Sequence, residues 1–524
     1  MTEGRIVLIS CSDKEGLIPL ARGLVDLGWR IVSTGGTASL LEGEGLPVTP
    51  VSEVTGHPSL LEGRVKTLHP AIHSGILARR DRDEDARELR QRGYELIDMV
   101  VVNLYPFEET VSAGRSEEQT LENIDIGGPT MLRAAAKNHS SVIPLARPRD
   151  YPRVLEQLQK TGDVTAEMRR ELAAEVFRHV SRYDSLVAAY LGEGSPGYMS
   201  YPEELTIPLK RTRILRYGEN PHQTAALYVT PSTSSLSLER LHQVQGPDLS
   251  YNNLLDVDVA VGLASEFEAP AVCALKHNNP CGVAVAGTLA DAFRRAYDAD
   301  PVSIFGGVVA VNRTVDLEFV ELIAERELFL DVLVAPGYTG EALERLKRRK
   351  KLRALCLAGL GLEQARPVGL EMDELAGRFI KGGMLLNQRD EGTSPGSTWE
   401  VAGGCQPGER AWADMAFAWT VAMYTKSNAI VIARDGATLG VGAGQMNRVS
   451  SARLALEAAG DGARGAVMAS DGMLPFPDVA QVAADAGIAA LVQPGGSIRD
   501  EQIIDVADQA GMAMVFTGRR HFVH

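Results

Sequence analysis

A lysine and a histidine stand side by side where an apolar segment of the chain ends. In "CALKHNNPCGVAV", residues 273–285, Lys276 and His277 follow the apolar run and precede Asn-Asn-Pro. An imidazole exchanges a proton near neutral pH, and an ammonium group stabilises an oxyanion. Because functional side chains gather where the strands of an α/β sheet end, the pair suggests proton-transfer chemistry at a sheet edge. An isolated Lys-His pair, however, is more often simply the start of a polar turn and has no catalytic role.

Zinc chemistry is an alternative for this segment. Cys273, His277 and Cys281 are evenly spaced, but Cys273 belongs to the apolar run and the H-x-E plus P-C-x-x-C pattern of zinc deaminases is missing. His69 and His73 have the spacing of metal ligands on a helix, but a proline lies between them and no acidic partner accompanies them. The sequence therefore predicts no metal site.

Two turns near the N-terminus suggest an anion site. "STGGT", from Ser33 to Thr37, follows a strand pattern and opens a helical one. Backbone N–H groups and a helix N-terminus in such a turn favour a phosphate group. "SDK", from Ser12 to Lys14, lies at an equivalent turn. Two turns at the carboxyl ends of strands in one parallel sheet would converge on one crevice.

Further cations follow in "GRVKTLHP" and "IDIGGPTMLRAAAKNH". Arg64 and Lys66 share a face if their segment is extended, and either can hold an anion. Lys137 lies four residues after Arg133 on a predicted helix, so these two side chains share a helix face. Taken alone, the position of Lys137 predicts a surface lysine without a catalytic role.

The composition limits the class of protein. A chain of 524 residues is too long for a single core and predicts about two or three domains. Its 53 basic and 68 acidic residues give a net charge of −15, which argues against a nucleic-acid-binding protein. Five scattered cysteines predict a reduced protein, and the sequence contains neither a secretion signal nor a membrane-spanning apolar stretch. These features predict a cytoplasmic location.

Strand and helix patterns alternate in both halves of the chain. "RIVLIS", "WRIVST", "PVTPV" and "IDMVVVNLYPF" read as strands separated by helices, the rhythm of a parallel sheet. "GEGSPGYMSYPEE" interrupts the periodicity and predicts a linker over residues 196–204. In the second half, Thr288 with Asp291 and Ser497 with Asp500 predict capping boxes at helix starts.

The motifs of the first half resemble, in order, the inosine monophosphate (IMP) cyclohydrolase domain of the bifunctional purine-biosynthesis family. They are "SDK", "STGGT", "GRVKTLHP", "VVNLYPF" and "IDIGGPTMLRAAAKNH". In the second half, "ILRYGENPHQ", the Lys-His segment, "YTKSNAIV", "MASDGMLPFPD" and "TGRRHF" resemble the aminoimidazole-carboxamide ribotide (AICAR) formyltransferase domain of the same family.

The resemblance covers nearly the whole chain and implies its architecture. Residues 1–195 would form a methylglyoxal-synthase-like α/β domain with a parallel sheet. Residues 205–524 would form a formyltransferase domain made of two cytidine-deaminase-like α/β subdomains, a duplication without zinc. A homodimer whose formyltransferase sites use both subunits is also implied.

The resemblance also implies the last two steps of IMP synthesis. A formyl group would pass from 10-formyltetrahydrofolate to AICAR, and the formyl-AICAR produced would close to IMP with loss of water. The small-molecule partners would be these nucleotides and the reduced folate, with neither nucleic acid nor membrane involved. The folate is a co-substrate, no catalytic metal is expected, and a structural monovalent cation is left open.

For ring closure, the resemblance assigns oxyanion stabilisation and proton delivery to Lys66 and Tyr105. Asp125 and Lys137 would form a partner pair acting on the carboxamide, and which of the two is the base stays open. The same matching assigns substrate binding to Ser12, Lys14, Ser33, Thr34, Gly35, Gly36, Thr37, Arg64, Thr67, Asn103, Gly127 and Gly128.

For formyl transfer, the resemblance makes His277 the base and Lys276 the group that stabilises the oxyanion or protonates the departing folate nitrogen. Asn428 would position the reactants by hydrogen bonding. The same matching assigns nucleotide binding to Arg216, Tyr217, Arg520 and Phe522, and folate binding to Phe305, Gly306, Asp331 and Phe476.

The chain departs from the family pattern at two points, and rival functions exist. "GMLPFP" replaces a phenylalanine-rich segment, and Ile304 stands where a small residue is usual, which puts folate affinity in doubt. One rival is a methylglyoxal-synthase-type lyase fused to a deaminase-like hydrolase, which would need the missing zinc signature. The other is a nucleotide-sensing N-terminal module fused to a single-activity formyltransferase.

Overall fold

The computed structural model describes residues 4–192, 201–230, 234, 236–360, 375–390 and 399–524. The chain divides into two compact units, with the main division between Leu209 and Lys210. Residues 196–200 of the predicted linker lie outside the described residues, and the domain limits 1–195 and 205–524 stay a prediction. Within the described residues, no helix combines the length and the apolar character needed to cross a membrane.

The first unit contains a five-stranded sheet in the order β3-β2-β1-β4-β5. Every pair of neighbouring strands is parallel, which confirms the predicted parallel sheet. The strands are β1 (Ile6–Cys11), β2 (Arg30–Ser33), β3 (Val48–Pro50), β4 (Met99–Asn103) and β5 (Ile143–Leu145).

Helices cover both faces of this sheet, because successive strand residues point to opposite sides. Ile6 and Leu8 of β1 lie in one core cluster, and Val7 and Ile9 lie in the other. The helices are α1 (Leu17–Asp26), α2 (Gly35–Gly43), α3 (Val51–Thr55), α4 (Pro70–Leu77), α5 (Asp83–Arg92), α6 (Phe107–Ser112), α7 (Glu117–Glu122), α8 (Gly127–Lys137), α9 (Tyr151–Thr161) and α10 (Ala166–Gly192).

The second unit begins with a two-stranded hairpin and an edge strand, followed by a helix, a hairpin, and three helix–strand pairs. The elements up to this point are β6 (Lys210–Leu215), β7 (Ala225–Val229), β8 (His242–Gln245), α11 (Tyr251–Ser265), β9 (Ala271–Lys276), β10 (Asn279–Val285), α12 (Leu289–Ala299), β11 (Val308–Val311), α13 (Leu317–Glu325), β12 (Val332–Ala335), α14 (Gly340–Leu346) and β13 (Arg353–Cys356).

The same helix, hairpin and helix–strand order then recurs, which confirms the predicted duplication. A second two-stranded hairpin and one strand precede the repeat. The elements are β14 (Leu375–Ile380), β15 (Gly383–Gln388), β16 (Glu400–Ala402), α15 (Glu409–Met423), β17 (Ile430–Arg434), β18 (Ala437–Gly442), α16 (Arg448–Ala459), β19 (Val467–Ser470), α17 (Asp478–Asp485), β20 (Ala490–Gln493), α18 (Asp500–Gln509) and β21 (Ala513–Phe516).

The two repeats share one mixed sheet of twelve strands, in the order β16-β21-β20-β19-β17-β18-β10-β9-β11-β12-β13-β8. They meet where β10 pairs with β18, at Ala284 and Ala437. Residues 271–275 of β9 are fully buried, as the apolar run predicts. However, β9 is antiparallel to both of its neighbours, so Lys276 lies at a hairpin turn within the sheet.

One of the two predicted capping boxes marks its helix correctly. The Thr288 side chain accepts the backbone N–H of Asp291 at the start of α12. The other prediction is confirmed in part. The Asp500 carboxylate accepts the backbone N–H of Ser497, which is one of the two bonds of a capping box, and also that of Gly496. The helix α18, however, begins only at Asp500.

Close packing between α12 and β10 gives a stability prediction. A Cβ atom on Gly282 would overlap the carbonyl oxygen of Ala296, whereas one on Gly287 would meet nothing within 4 Å. We expect Gly282→Ala to lower the free energy of unfolding by about 2 kcal/mol or more, because the helix must shift to admit the methyl group. Urea denaturation followed by circular dichroism measures this, with Gly287→Ala as control. Equal stability of the two variants would contradict this packing.

Candidate active sites

In the first unit, Asn103 at the end of β4 holds the "SDK" turn that follows β1. Its side-chain oxygen accepts the backbone N–H groups of Ser12 at 2.5 Å and Asp13 at 2.9 Å. Its amide nitrogen donates to the Asp13 carbonyl at 2.8 Å. Asn103 itself is buried, so this turn is fixed by one satisfied polar side chain beneath it.

Thr37 joins the "SDK" turn to the "STGGT" turn. The Lys14 ammonium donates to the Thr37 hydroxyl at 2.7 Å and also bonds the Cys11 carbonyl. The Thr37 hydroxyl accepts the Cys11 N–H at 3.2 Å and donates to the Cys11 carbonyl at 2.9 Å. The structure therefore brings the two turns together, although the Ser33 hydroxyl is buried and donates to the Ile9 carbonyl at 2.7 Å. A ligand would meet the Ser33 backbone and not its hydroxyl.

Lys66 supplies a second cation beside this crevice. Its ammonium nitrogen lies 3.6 Å from the Cβ position of Gly35, where φ is +56°. Burial lowers the pKa of Lys14, and the positive charge of Lys66 lowers it further. Two ammonium groups near a helix start create the positive potential that an anionic nucleotide requires.

The segment of Arg64 and Lys66 is not extended at Arg64, so the condition under which the two side chains would share a face is not met. Arg64 follows a 3₁₀ turn over Leu61–Gly63 and has a helical φ of −60° and ψ of −33°. The Arg64 guanidinium is paired with Glu122, and its side chain is 67% exposed. Its predicted contact with the nucleotide would have to compete with this ion pair.

Asp125 connects the end of the "VVNLYPF" segment to the start of α8. Its carboxylate accepts the Gly128 N–H at 2.8 Å and a backbone hydrogen bond from Tyr105. Burial raises the pKa of Asp125, and these hydrogen bonds and the charge of Lys66 oppose the rise. The predicted residues Asp125, Tyr105 and Lys66 thus lie in one region. Tyr183, which the sequence reasoning missed, accepts the Asp125 N–H through its hydroxyl at 2.8 Å.

The two glycines at the start of α8 are required because other side chains lie too close to their Cα atoms to leave room for a Cβ atom. A Cβ on Gly128 would lie 2.5 Å from a carboxylate oxygen of Asp125. A Cβ on Gly127 would lie 2.8 Å from the hydroxyl of Thr67, another predicted substrate ligand. These glycines therefore let the helix start close against the two polar side chains.

Lys137 lies at the other end of α8 and is exposed. Ten residues separate it from Gly127, a rise of about 15 Å along the helix axis. The structure does not bring Lys137 to Asp125 within this chain, so the predicted partner pair has no geometric support. The ten-residue separation from Gly127, and not the helix face shared with Arg133, decides this distance.

In the second unit, His277 and Asn278 form the turn between β9 and β10. Their φ angles are 52° and 59°, and Lys276 pairs with Asn279 across the hairpin. Positive φ at both central residues is typical of a type I′ turn. The turn was predicted at Asn278-Asn279-Pro280, which is wrong by one residue, because Asn279 and Pro280 already belong to β10.

Lys276 is held over the loop that precedes β11. Its ammonium group donates to the Phe305 carbonyl at 3.0 Å and to the Gly306 carbonyl at 2.9 Å. A Cβ on Gly306 would lie 3.2 Å from this nitrogen, and φ of Gly306 is +67°, so the position favours glycine. Ile304, one of the departures from the family pattern, is fully buried in the core and does not form part of the surface.

The N-terminal half of α11 holds three loops. The Asn252 side chain donates to the Glu219 carbonyl at 3.2 Å, in the loop that carries Arg216 and Tyr217. The Asn253 side chain donates to the Asp331 carboxylate at 2.7 Å. The Asp256 carboxylate accepts the Asn278 N–H at 2.6 Å, in the Lys276–His277 turn. None of these three helix residues was predicted to have a role.

The predicted substrate-binding residues in these loops differ in whether their polar atoms are already engaged in hydrogen bonds. The Arg216 guanidinium lies 5.4 Å from the centroid of the Tyr217 ring. The Asp331 carboxylate is bonded to Arg353 at 2.6 Å as well as to Asn253, so both of its oxygens already have partners. A folate contact with Asp331 would have to share these oxygens.

A further group surrounds Asn428 in the second repeat. The side-chain nitrogen of Asn428 donates to the backbone carbonyl of Gln445 at 2.7 Å. The backbone carbonyl of Asn428 accepts a hydrogen bond from the Ser451 hydroxyl at 2.7 Å. The Lys426 N–H donates to the Asn279 side chain at 3.1 Å, which links this loop to the hairpin that carries Lys276.

Arg448 and Asp471 form a buried ion pair that the sequence reasoning missed. The Phe522 ring lies 6.0 Å from the Arg448 guanidinium carbon and 4.6 Å from that of Arg520. The predicted residues Arg520 and Phe522 thus stack together. Phe476 is half exposed and packs against Arg499, whose guanidinium carbon lies 4.3 Å from the ring centroid.

His69 and Cys281, two of the residues with metal-ligand spacing, have hydrogen-bond partners within the protein. His69 accepts the Ala71 N–H at 3.1 Å and so caps α4. Burial lowers the pKa of His73. Cys273 is fully buried in β9, and the Cys281 thiol bonds the Ala274 carbonyl at 3.4 Å. In the part of the chain that the structure describes, no group of three potential ligands forms a metal site.

Comparison with known proteins identifies the family. Residues 16–130 match the MGS-like domain, and residues 135–458 match the AICARFT/IMPCHase bienzyme family. A solved structure described as "Crystal structure of ForH" is 42% identical, covers 36% of this chain and 97% of its own, and has a TM-score of 0.32.

Curated relatives match along almost the entire chain. The bifunctional purine biosynthesis protein PurH of Anoxybacillus flavithermus is 47% identical over 99% of this chain and 100% of its own length. PurH of Bacillus cereus strain B4264 and of Bacillus anthracis are each 48% identical over 99% of both chains. The chain therefore belongs to the AICARFT/IMPCHase bienzyme family, the bifunctional purine biosynthesis proteins.

Proposed function

We propose that the two activities of this bifunctional enzyme, AICAR formyl transfer and IMP ring closure, are divided between its two units. The observation that carries this division is that each unit holds its own cluster of proton carriers. Lys14, Lys66 and Asp125 cluster in the first unit. Lys276 and His277 occupy the β9–β10 turn in the second. The first unit would close the ring and the second would transfer the formyl group.

Ring closure needs a cation and a proton carrier, since the carboxamide nitrogen is a weak nucleophile. As this nitrogen bonds to the formyl carbon, the formyl oxygen becomes anionic, takes up protons and leaves as water. Lys66, together with Tyr105, would stabilise this oxygen. Asp125 would accept the proton that the nitrogen loses, and its raised pKa brings it closer to neutral pH, as suits an acid–base group.

The nucleotide phosphate would lie against the "SDK" and "STGGT" turns. Lys14 already faces Thr37 there, and backbone N–H groups open α2. A phosphate would gain from both the ammonium charge and the helix start. The predicted role of Lys137 is not part of this arrangement and stays a prediction.

In formyl transfer, His277 would take the proton of the AICAR exocyclic amine as this nitrogen attacks the formyl carbon. A lysine ammonium has three donors, and Lys276 directs two at the Phe305 and Gly306 carbonyls. The third would stabilise the tetrahedral oxyanion. When this intermediate collapses, the bond to the folate nitrogen breaks and that nitrogen takes up a proton.

We propose 10-formyltetrahydrofolate as the formyl donor and a cytoplasmic location. The folate ring system would lie against Phe305, whose side chain is exposed beside Lys276. Arg216 and Arg520 would hold the AICAR phosphate. All five cysteines are free, which fits a reducing compartment.

We also infer a homodimer, supported by the family resemblance and by the β14–β15 hairpin. This hairpin is a separate two-stranded sheet, which is marginal alone. Its apolar side chains are exposed, among them Phe379 at 82%, Ile380 at 50% and Leu385 at 58%. A second copy of the chain would bury them.

The division of activities predicts that two variants stop at different steps of the reaction. With AICAR and 10-formyltetrahydrofolate supplied, His277→Ala should form no formyl-AICAR, because the amine keeps its proton. Lys66→Ala should accumulate formyl-AICAR and form little IMP, because the oxyanion of ring closure is not stabilised. Chromatography of both nucleotides over time measures this, with the exposed Lys160→Ala as control.

Equal loss of both steps in either variant would contradict the division. If the first unit instead only senses nucleotides, Lys66→Ala would change IMP binding without changing the rate of IMP formation from supplied formyl-AICAR.

The dimer predicts a mass of twice 56.3 kDa in sedimentation equilibrium. Phe379→Asp should raise the dimer dissociation constant at least about tenfold, because a charge would enter an apolar interface. Ile498→Asp, which changes another fully exposed apolar side chain outside the hairpin, serves as control. A wild-type monomer at micromolar concentration would overturn the inference.

A further inference from the structure

The Lys276–His277 turn has an unusual backbone and a backbone support from α11. His277 and Asn278 both adopt positive φ, a region that residues with a Cβ atom disfavour. Asparagine often tolerates this region because its side chain bonds the nearby backbone. Here the Asn278 side-chain oxygen is buried and has no hydrogen-bond partner among the described residues. Local bonding by this oxygen therefore does not hold the turn.

Asp256 supplies the support from α11. Its carboxylate accepts the backbone N–H of Asn278 at 2.6 Å, a short hydrogen bond of the kind formed by charged acceptors. The helix that carries Asp256 is itself anchored by a complete capping box between Ser250 and Asn253. The acceptor is thus presented from a rigid element and not from a loop.

The charges around Asp256 come from two elements. Burial raises the pKa of Asp256 most, and Asp331, just before β12, raises it further. The Asn278 N–H, His277 and Lys276, all in the hairpin, lower it. Asp256 is therefore close enough to both members of the pair for its charge to interact with theirs.

We propose that Asp256 is a positioning residue for formyl transfer. Its carboxylate fixes the Asn278 backbone and so holds His277 and Lys276 in the orientation the reaction needs. Its negative charge also stabilises the imidazolium that forms when His277 has taken the amine proton. This role rests on the proposed assignment of formyl transfer to Lys276 and His277.

Two substitutions separate the backbone contact from the charge. Asp256→Asn keeps an oxygen that can accept the Asn278 N–H but removes the charge. We expect kcat for formyl transfer to fall about tenfold, the difference between a charged and a neutral hydrogen-bond acceptor. The KM for AICAR should change little, because the backbone of the turn keeps a hydrogen-bond acceptor. A merely structural role would lower stability without lowering kcat at an unchanged KM.

Asp256→Ala removes both contributions, and we expect formyl transfer to fall by about 100-fold or more, with a smaller change in KM for AICAR. IMP formation from supplied formyl-AICAR should be unchanged in both variants, and their circular dichroism spectra report whether the second unit is folded. Asp258→Asn, two residues along the same helix, is the matched control and should leave kcat and KM unchanged. If Asp256→Ala fails to fold, Asp256→Asn alone decides.

Wild-type kcat in Asp256→Ala would overturn the role of the backbone contact, and wild-type kcat in Asp256→Asn would overturn the role of the charge. The His277→Ala variant distinguishes this failure from failure of the proposed function. If His277→Ala abolishes formyl transfer while the Asp256 variants retain it, only the positioning role is wrong. If His277→Ala retains formyl transfer, the assignment of the reaction to this turn is wrong as well.

Discussion

The proposed formyltransferase site depends on a set of hydrogen bonds made by the first turns of α11. Asn252, Asn253 and Asp256 of α11 each bind a different loop, and each loop carries residues assigned to AICAR or folate. Residues one, three and four positions apart on a helix project around its first turns, so a short sequence reaches several loops at once. A capped helix is a stiff element, and it gives these loops a common reference.

In the first unit, the turns that line the proposed site are held by buried side chains near strand ends. There, buried side chains at the ends of neighbouring parallel strands hold the turns, with Asn103 and Thr37 as the two centres. The cations then lie close together in a chain whose net charge is −15. The local charge and not the total therefore favours an anionic nucleotide, because neighbouring ammonium groups act at short range while distant charges are screened.

Much of the fold follows from the sequence because it depends on local patterns. The apolar run before Lys276 predicted a buried strand, and the alternation of strands and helices predicted the parallel sheet of the first unit. The convergence of the "SDK" and "STGGT" turns also followed, since parallel strands place their carboxyl ends together.

Other features depend on contacts between distant residues and were not predictable. The pairing of Arg64 with Glu122 joins residues 58 positions apart, and no periodicity indicates it. The same holds for the buried pair of Arg448 and Asp471. Lys137 is a different case, because its ten-residue separation from Gly127 already fixed its distance from the start of α8, whereas the motif matching grouped it with Asp125 without regard to that distance.

The most direct test is a crystal structure of the chain with AICAR bound. If α11 assembles the formyltransferase site, one ribotide will contact both the Arg216–Tyr217 loop and the Lys276–His277 turn of the same chain. Asp256 will still accept the Asn278 N–H in that complex. A ribotide bound to only one of these loops, with the Lys276–His277 turn facing bulk solvent, would contradict the account.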